Sequence, residues 1–389
     1  MTQEPRVSDL FTLTDDHRAF REVVRKMAEE RIAPRAAEID ETAEFPHDVK
    51  DLLEQQGLIG LFVPESYGGA GADALTVAIL VEEIARVCAS SSLIPLVQKL
   101  GCMPIVLGAS EEQKKAWLPK LATGEELISY AISEAEAGSD PASMRTTAVR
   151  DGDSYVLNGT KVWISGASVA DCFTVLAKTD PGSGAKGVSA FYVRADDAGF
   201  SVGKKEDKLG IKGSPTCQIH FDNVRVPADR LIGEEGKGFT YAMQAFDHTR
   251  LAVGAQAVGI AQGALDFAAG YVKERQQFGK PIGSFQGLQF MIADMATDID
   301  AARALVYIAA GKADRGDEDL TRWSSMAKLK AGDVAMRVTV DAVQLLGGYG
   351  YTKDYPVERY MRDAKITQIY EGTQQIQRMV IARQVLGRL

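Results

Sequence analysis

A chain of 389 residues, 46% of them hydrophobic and 25% charged, has globular composition and is too long for one ordinary domain. Its formal charge of −9 is spread among interspersed lysines and arginines, which argues against nucleic acid or an anionic membrane as main partner. No uninterrupted apolar stretch reaches the roughly 18 residues of a membrane span, and the first residues show no secretory or import pattern, so a cytoplasmic location is expected.

In chain order, the first region (1–125) reads as helical. Thr14 or Asp15 caps a helix with Phe20, Val23, Val24, Met27 and Ala28 on one face, and Pro34 closes it. Pro46 opens a second helix that Gly57 ends, and Ala74 to Ala89 forms a third. The texture then changes to strands over 126–235. Ser154–Leu157 and Thr160–Ile164 flank Asn158-Gly159, a strong hairpin signal, and further runs follow at Phe173–Ala177, Val188–Val193 and Cys217–Phe221. This predicts an antiparallel β domain, barrel-like or a sandwich. From 236 to 389 long proline-free helical stretches predict a four-helix-bundle-like domain, so the expected order is α, β, α.

No Gly-rich segment matches a dinucleotide or P-loop fingerprint, and neither the four histidines nor the four cysteines have metal-ligand spacing. Three other constellations carry possible chemistry. Strand alternation would put Trp163 and Ser165 on one face, a flat ring beside a hydroxyl donor, although a core tryptophan fits the same spacing. Ser133–Asp140 clusters hydroxyls and main-chain donors that suit an anion, or form an ordinary polar loop. Glu371 stands in a turn before Gly372, where Ile369 and Tyr370 would desolvate it into a base. A solvated glutamate ahead of a helix fits equally.

Eight segments in fixed order resemble the acyl-CoA dehydrogenase family from about Thr14 onward. They begin with Tyr130–Asp140, Lys161–Gly166 and Lys208–Ser214, continue with Asp247–Arg250, Glu274–Ile282 and Gln344–Gly350, and end with Pro356–Arg359 and Arg362–Arg378. The resemblance implies FAD as cofactor, an acyl-CoA substrate and Glu371 as catalytic base. The acid that some members carry just before the arginine is here Thr249. It further implies that Tyr130, Ile132 and Ser133 line the flavin, Gly138 and Ser139 approach its pyrophosphate, and Trp163, Ile164 and Ser165 cover the ring. Arg275, Phe278, Gln286, Gln344, Leu345, Gly347 and Gly348 would contact FAD of a neighbouring subunit in a homotetramer, a dimer of dimers. Thr373 and Gln375 would hold the cofactor beside the base, while Ser139, Asp247, Arg250, Tyr370 and Gly372 would face the substrate. Ala135, Ser133 and Ser165 depart mildly from the family pattern. An electron-transferring flavoprotein is the implied acceptor, and a short, medium or branched-short acyl chain the implied substrate. An oxidase on the same fold and a non-catalytic acyl-CoA-binding scaffold are the rival readings.

Overall fold

The computed structural model describes residues 13–387. Residues 1–12, which carried the reading of the N-terminal segment, lie outside the described residues.

The first unit holds six helices: α1 (Asp15–Met27), α2 (Ala36–Thr42), α3 (His47–Gln55), α4 (Ala74–Ala85), α5 (Ala89–Gly108) and α6 (Glu111–Thr123). Thr14 caps α1 through a capping box with His17. Pro34 does not close this helix as expected. A π turn over Ala28–Ile32 and a 3-10 turn over Ala33–Arg35 absorb the missing N–H, and the chain carries on into α2.

The middle unit is one sheet of eight strands: β1 (Ile128–Ala131), β2 (Thr147–Asp151), β3 (Ser154–Ser165), β4 (Cys172–Lys178), β5 (Val188–Arg194), β6 (Phe200–Lys205), β7 (Thr216–Pro227) and β8 (Leu231–Ile232). Its order is β6-β7-β3-β2-β4-β5-β8, with β1 beside β4. Pairing is antiparallel except where β1 and β2 run parallel to β4. Asn158-Gly159 is not a hairpin turn. β3 runs straight through it, and the turn lies at Gly152-Asp153, where Asp151 pairs with Ser154. Gly159 instead marks a bulge against β7, and a Cβ there would meet Thr146 Oγ1 at 2.5 Å.

The last unit contains α7 (Gly238–Glu274), α8 (Gln286–Arg315), α9 (Leu320–Leu346), α10 (Val357–Ala364) and α11 (Gln374–Leu386). A two-residue ribbon, β9 (Gln276–Gln277) with β10 (Lys280–Pro281), follows α7. By length and composition α5 and α7 could each cross a membrane, but both are mostly buried and serve as core helices. α7 is the axis of the molecule, packing on α9 and α8 within the bundle and on α4 and α5 of the first unit.

Two features fix that junction. Glu82 and Glu83 of α4 are buried, and each is matched by cations. Arg303 and the Tyr307 hydroxyl donate to Glu82 at 2.8 and 2.7 Å, and Arg25 grips Glu83 with bonds of 2.9 and 2.8 Å. Glycines let the backbones touch: a Cβ on Gly259 would lie 2.2 Å from the Glu82 carbonyl oxygen and 2.9 Å from Ala85 Cβ. Gly259→Val should therefore force α4 off α7. The expected cost is about 1–3 kcal/mol from overpacking, read as a lower thermal unfolding midpoint, whereas Gly270→Ala on the same helix, where a Cβ meets nothing within 4 Å, should raise it slightly through helix propensity.

Candidate active site

Glu371 occupies a reversal of the chain between the 3-10 turn Lys365–Gln368 and α11. It takes φ +50°, and Gly372 follows at φ +93°. A left-handed glutamate persists only where its surroundings hold it. Here the carbonyls of the turn are gripped from three sides. Gln377 Nε2 donates to the Glu371 and Gly372 carbonyls at 3.1 and 3.0 Å. Lys328 Nζ on α9 reaches the Gly372 carbonyl at 2.7 Å, and Arg250 Nε on α7 reaches that of Glu371 at 3.4 Å. Thr373 then caps α11, accepting from Ile376 N at 3.3 Å.

The turn aims the side chain inward. Thr249 Oγ1 donates to Glu371 Oε2 at 2.7 Å, while Oε1 is buried with no partner. Burial raises the carboxyl to about 6, and the Thr249 bond together with the charges of Arg250, Lys328 and Lys99 restrains the rise. A carboxylate with one oxygen anchored and the other free and desolvated is ionised at neutral pH and short of a proton donor.

Other expected residues gather here. The Tyr130 hydroxyl on β1 is also buried without a partner, and its ring meets Phe246 of α7 edge-on at 5.8 Å. The Tyr370 hydroxyl donates to Gln256. Asp247 accepts from Arg250 at 3.1 Å and from Thr321 at 2.6 Å, which fixes the guanidinium beside the turn.

On the sheet, Trp163 does not reach its position by simple alternation. The β3–β7 register shifts between Lys161 and Ile164, so Val162 and Trp163 together oppose one residue. Trp163 sits on this bulge at φ +62° with 64% of its surface exposed, while the Ile164 side chain packs into the sheet core. Ile164 can therefore face a ligand only through its main chain. The Ser165 carbonyl accepts from Ser129 Oγ at 2.7 Å.

Sequence reasoning passed over the pair that braces this bulge. Buried Lys161 donates to Glu134 at 2.9 Å and to the Ile132 carbonyl at 3.1 Å. Glu134 also accepts from Arg145 N, Thr146 N and Thr146 Oγ1 at 2.6, 2.9 and 2.5 Å, closing the loop that carries Ser133, Gly138 and Ser139. Burial would raise Glu134, but Lys161, Thr146 and Arg145 hold it below the usual carboxylate range. The N–H groups of Gly138 and Ser139 find no partner among the described residues, and both residues are exposed. Lys328 and Gln377 were missed likewise, and Thr249 was noted only as lacking the acid, not as a partner of Glu371. Their signals, polar residues within apolar helical stretches, gain meaning only once the turn is seen.

A third group lies apart. The Arg275 guanidinium stands 5.4 Å over the ring of Tyr349, which brings the β9–β10 ribbon to the Gly347–Tyr351 turn. Phe278 is 92% exposed at φ +53°, and Gln286 and Gln344 are exposed as well. Gly347 and Gly348 have open space where a Cβ would stand, whereas Leu345 is buried in the bundle. Gln375 is exposed on α11.

The sequence matches the models of the acyl-CoA dehydrogenase N-terminal domain over residues 14–125, the middle domain over 129–224 and the C-terminal domain over 236–386. The chain belongs to the acyl-CoA dehydrogenase family. It is an FAD-dependent oxidoreductase with acyl-CoA dehydrogenase activity. It is 57% identical to the probable acyl-CoA dehydrogenase FadE25 of Mycobacterium tuberculosis strain H37Rv over 97% of each chain. Among solved structures, butyryl-CoA dehydrogenase from Megasphaera elsdenii is 42% identical with a TM-score of 0.94, covering 97% of this chain and 99% of that one. A chain from a structure of the electron transferring flavoprotein of Acidaminococcus fermentans is 44% identical with a TM-score of 0.95, covering 97% and 100%.

The residues present fit FAD. An exposed indole on a bulge offers a face to a flavin, unpaired N–H groups at Gly138 and Ser139 suit a pyrophosphate, and the open glycines at 347 and 348 admit close approach. Thr249 tunes the Glu371 carboxyl. Removing its bond from the ionised form in Thr249→Val should raise the carboxyl, moving the acid limb of the kcat/KM profile upward by ~1–2 pH units for a charge-assisted hydrogen bond of about 1.5–3 kcal/mol.

Proposed function

We propose that this dehydrogenase oxidises a short, medium or branched-short acyl-CoA to the trans-2-enoyl thioester, with Glu371 as the base at C2. One observation carries the assignment: Glu371 Oε1 is buried, unpartnered and presented by a doubly left-handed turn, while Oε2 is pinned by Thr249. The C2 hydrogen of a thioester is weakly acidic, so its removal needs a desolvated base held at fixed geometry. Lys328, Gln377 and Arg250 supply that geometry by holding the carbonyls of the turn. Asp247 and Arg250 line the substrate side with Tyr370 and Gly372, and Ser139 faces the thioester from the β side.

Bound FAD supplies the acceptor for the C3 hydride. Tyr130, Ile132, Ser133 and the Trp163–Ser165 bulge hold it, helped by Thr373 and Gln375 beside the base. The exposed group of Arg275, Phe278, Gln286, Gln344, Gly347 and Gly348 serves the cofactor of a neighbouring subunit, which makes the working form a homotetramer. Leu345 supports that group from within the bundle. Electrons leave to an electron-transferring flavoprotein, a reading supported by the similarity to the Acidaminococcus chain.

Glu371→Gln holoenzyme should keep its flavin absorbance and lose ~10²–10⁴-fold in the rate of flavin bleaching by acyl-CoA. Bleaching at the wild-type rate would move the base elsewhere. In the wild type, kcat/KM should fall as pH drops below about 6, because the base must be ionised and protonation removes it. Faster reoxidation by dissolved oxygen than by an electron-transferring flavoprotein would favour an oxidase.

A further inference from the structure

Two strand bulges and one loop meet at a single buried ion pair. The β3–β7 ladder shifts register twice, between Leu157 and Gly159 and again between Lys161 and Ile164, and Lys161 lies between the two shifts. Its side chain is fully buried, and its three ammonium hydrogens have three acceptors: Glu134 Oε1 at 2.9 Å, the Ile132 carbonyl at 3.1 Å and Met144 Sδ at 3.6 Å. Glu134 is saturated as well. Its Oε1 takes Lys161 Nζ, Thr146 N and Thr146 Oγ1, and its Oε2 takes Arg145 N. Neither group keeps a valence for a ligand, so neither binds one or transfers a proton.

What the pair does is join distant segments. Val162 N, at the start of the second bulge, donates to the Ser133 carbonyl at 3.0 Å. Residues 132–134 are thus stitched to residues 161 and 162 by three bonds, two from the Lys161 ammonium and one from the main chain. On one side of the stitch Trp163 follows at φ +62°. On the other, Glu134 and Ala137 exchange main-chain bonds of 3.3 and 3.0 Å, and the loop runs on to Gly138 and Ser139. The first bulge takes part too. A Cβ on Gly159 would stand 2.5 Å from Thr146 Oγ1, so the glycine leaves room for the hydroxyl that holds Glu134.

A buried ion pair is a weak source of net stability, and fixing register is its best-attested use. We propose that Lys161 and Glu134 are a positioning pair for FAD, holding the Trp163 bulge and the Gly138–Ser139 loop at one spacing so that ring and pyrophosphate are bound as a unit. The inference rests on the ring lying against Trp163 and the pyrophosphate on Gly138 and Ser139. The pair acts through these residues and does not touch the cofactor.

The test uses full-length wild type, Trp163→Ala, Lys161→Met, Lys161→Arg and the double variant Lys161→Met/Glu134→Gln. For each, the FAD dissociation constant, the flavin fluorescence at saturating FAD and the thermal unfolding midpoint are measured. Lys161→Met should weaken FAD binding ~10–100-fold, as for loss of one charge-assisted hydrogen bond. Its flavin fluorescence, quenched by an indole against the ring, should rise as the bulge moves. Lys161→Arg keeps the cation and should keep most of the affinity and the quenching. The double variant strands no charge in the interior, so its unfolding midpoint should lie near that of the wild type while affinity and quenching stay lost. Wild-type affinity and quenching in Lys161→Met overturn the proposal. A double variant that regains both overturns it too, because the pair then serves folding alone. If Trp163→Ala binds FAD as the wild type does, the placement of the ring fails. If Trp163→Ala weakens binding and Lys161→Met does not, the placement stands and only the inference fails.

Discussion

The structure turns on the burial of one carboxylate. Taking Glu371 out of water raises its affinity for protons, which makes it a useful base, and the same burial would neutralise it if nothing opposed the effect. Thr249, Arg250, Lys328 and Lys99 provide that opposition from α7, α9 and α5. A group poised near 6 is therefore the balance of desolvation against one hydrogen bond and several surrounding charges. Each of those charges is itself buried and has to be held by other contacts.

Those contacts explain much of the architecture. α7 carries Thr249 and Arg250, and it is clamped between the first unit and the bundle by glycine contacts to α4 and by the paired acids Glu82 and Glu83. α9 carries Lys328, whose ammonium satisfies the Gly372 carbonyl and the Gln374 amide oxygen at 2.7 and 3.1 Å. Glu371 thus sits where three long helices meet, and small shifts between them would displace it.

Two of the left-handed positions lie in the candidate site. Trp163 and Glu371 are both left-handed residues without the freedom of glycine, and each is over-determined by its neighbours. The Lys161–Glu134 pair holds the first from beneath, and the Lys328–Gln377 grip holds the second. The bundle face around Phe278, also left-handed, and Gly347 is exposed.

Much of this was legible beforehand. The α, β, α order followed from the change between helical and alternating periodicity, and the eight motifs in order named the family and its cofactor. Local signals failed where tertiary packing overrode them. Asn158-Gly159 read as a turn, yet β7 offered β3 a continuous partner, so the glycine became a bulge. Pro34 read as a stop, yet packing carried the chain through it. Pro95 and Pro104 obscured α5, which the structure shows as an unbroken core helix.

What the sequence determined by itself is therefore the type of each region and the family, since periodicity and motif order are properties of the chain. Only the tertiary structure decided that Thr249, Lys328, Gln377 and Lys99, from four different helices, converge on one turn. Their sequence separations carry no signal of that meeting. Charge, burial and hydrogen bonding act through space, and space is fixed only when the helices pack.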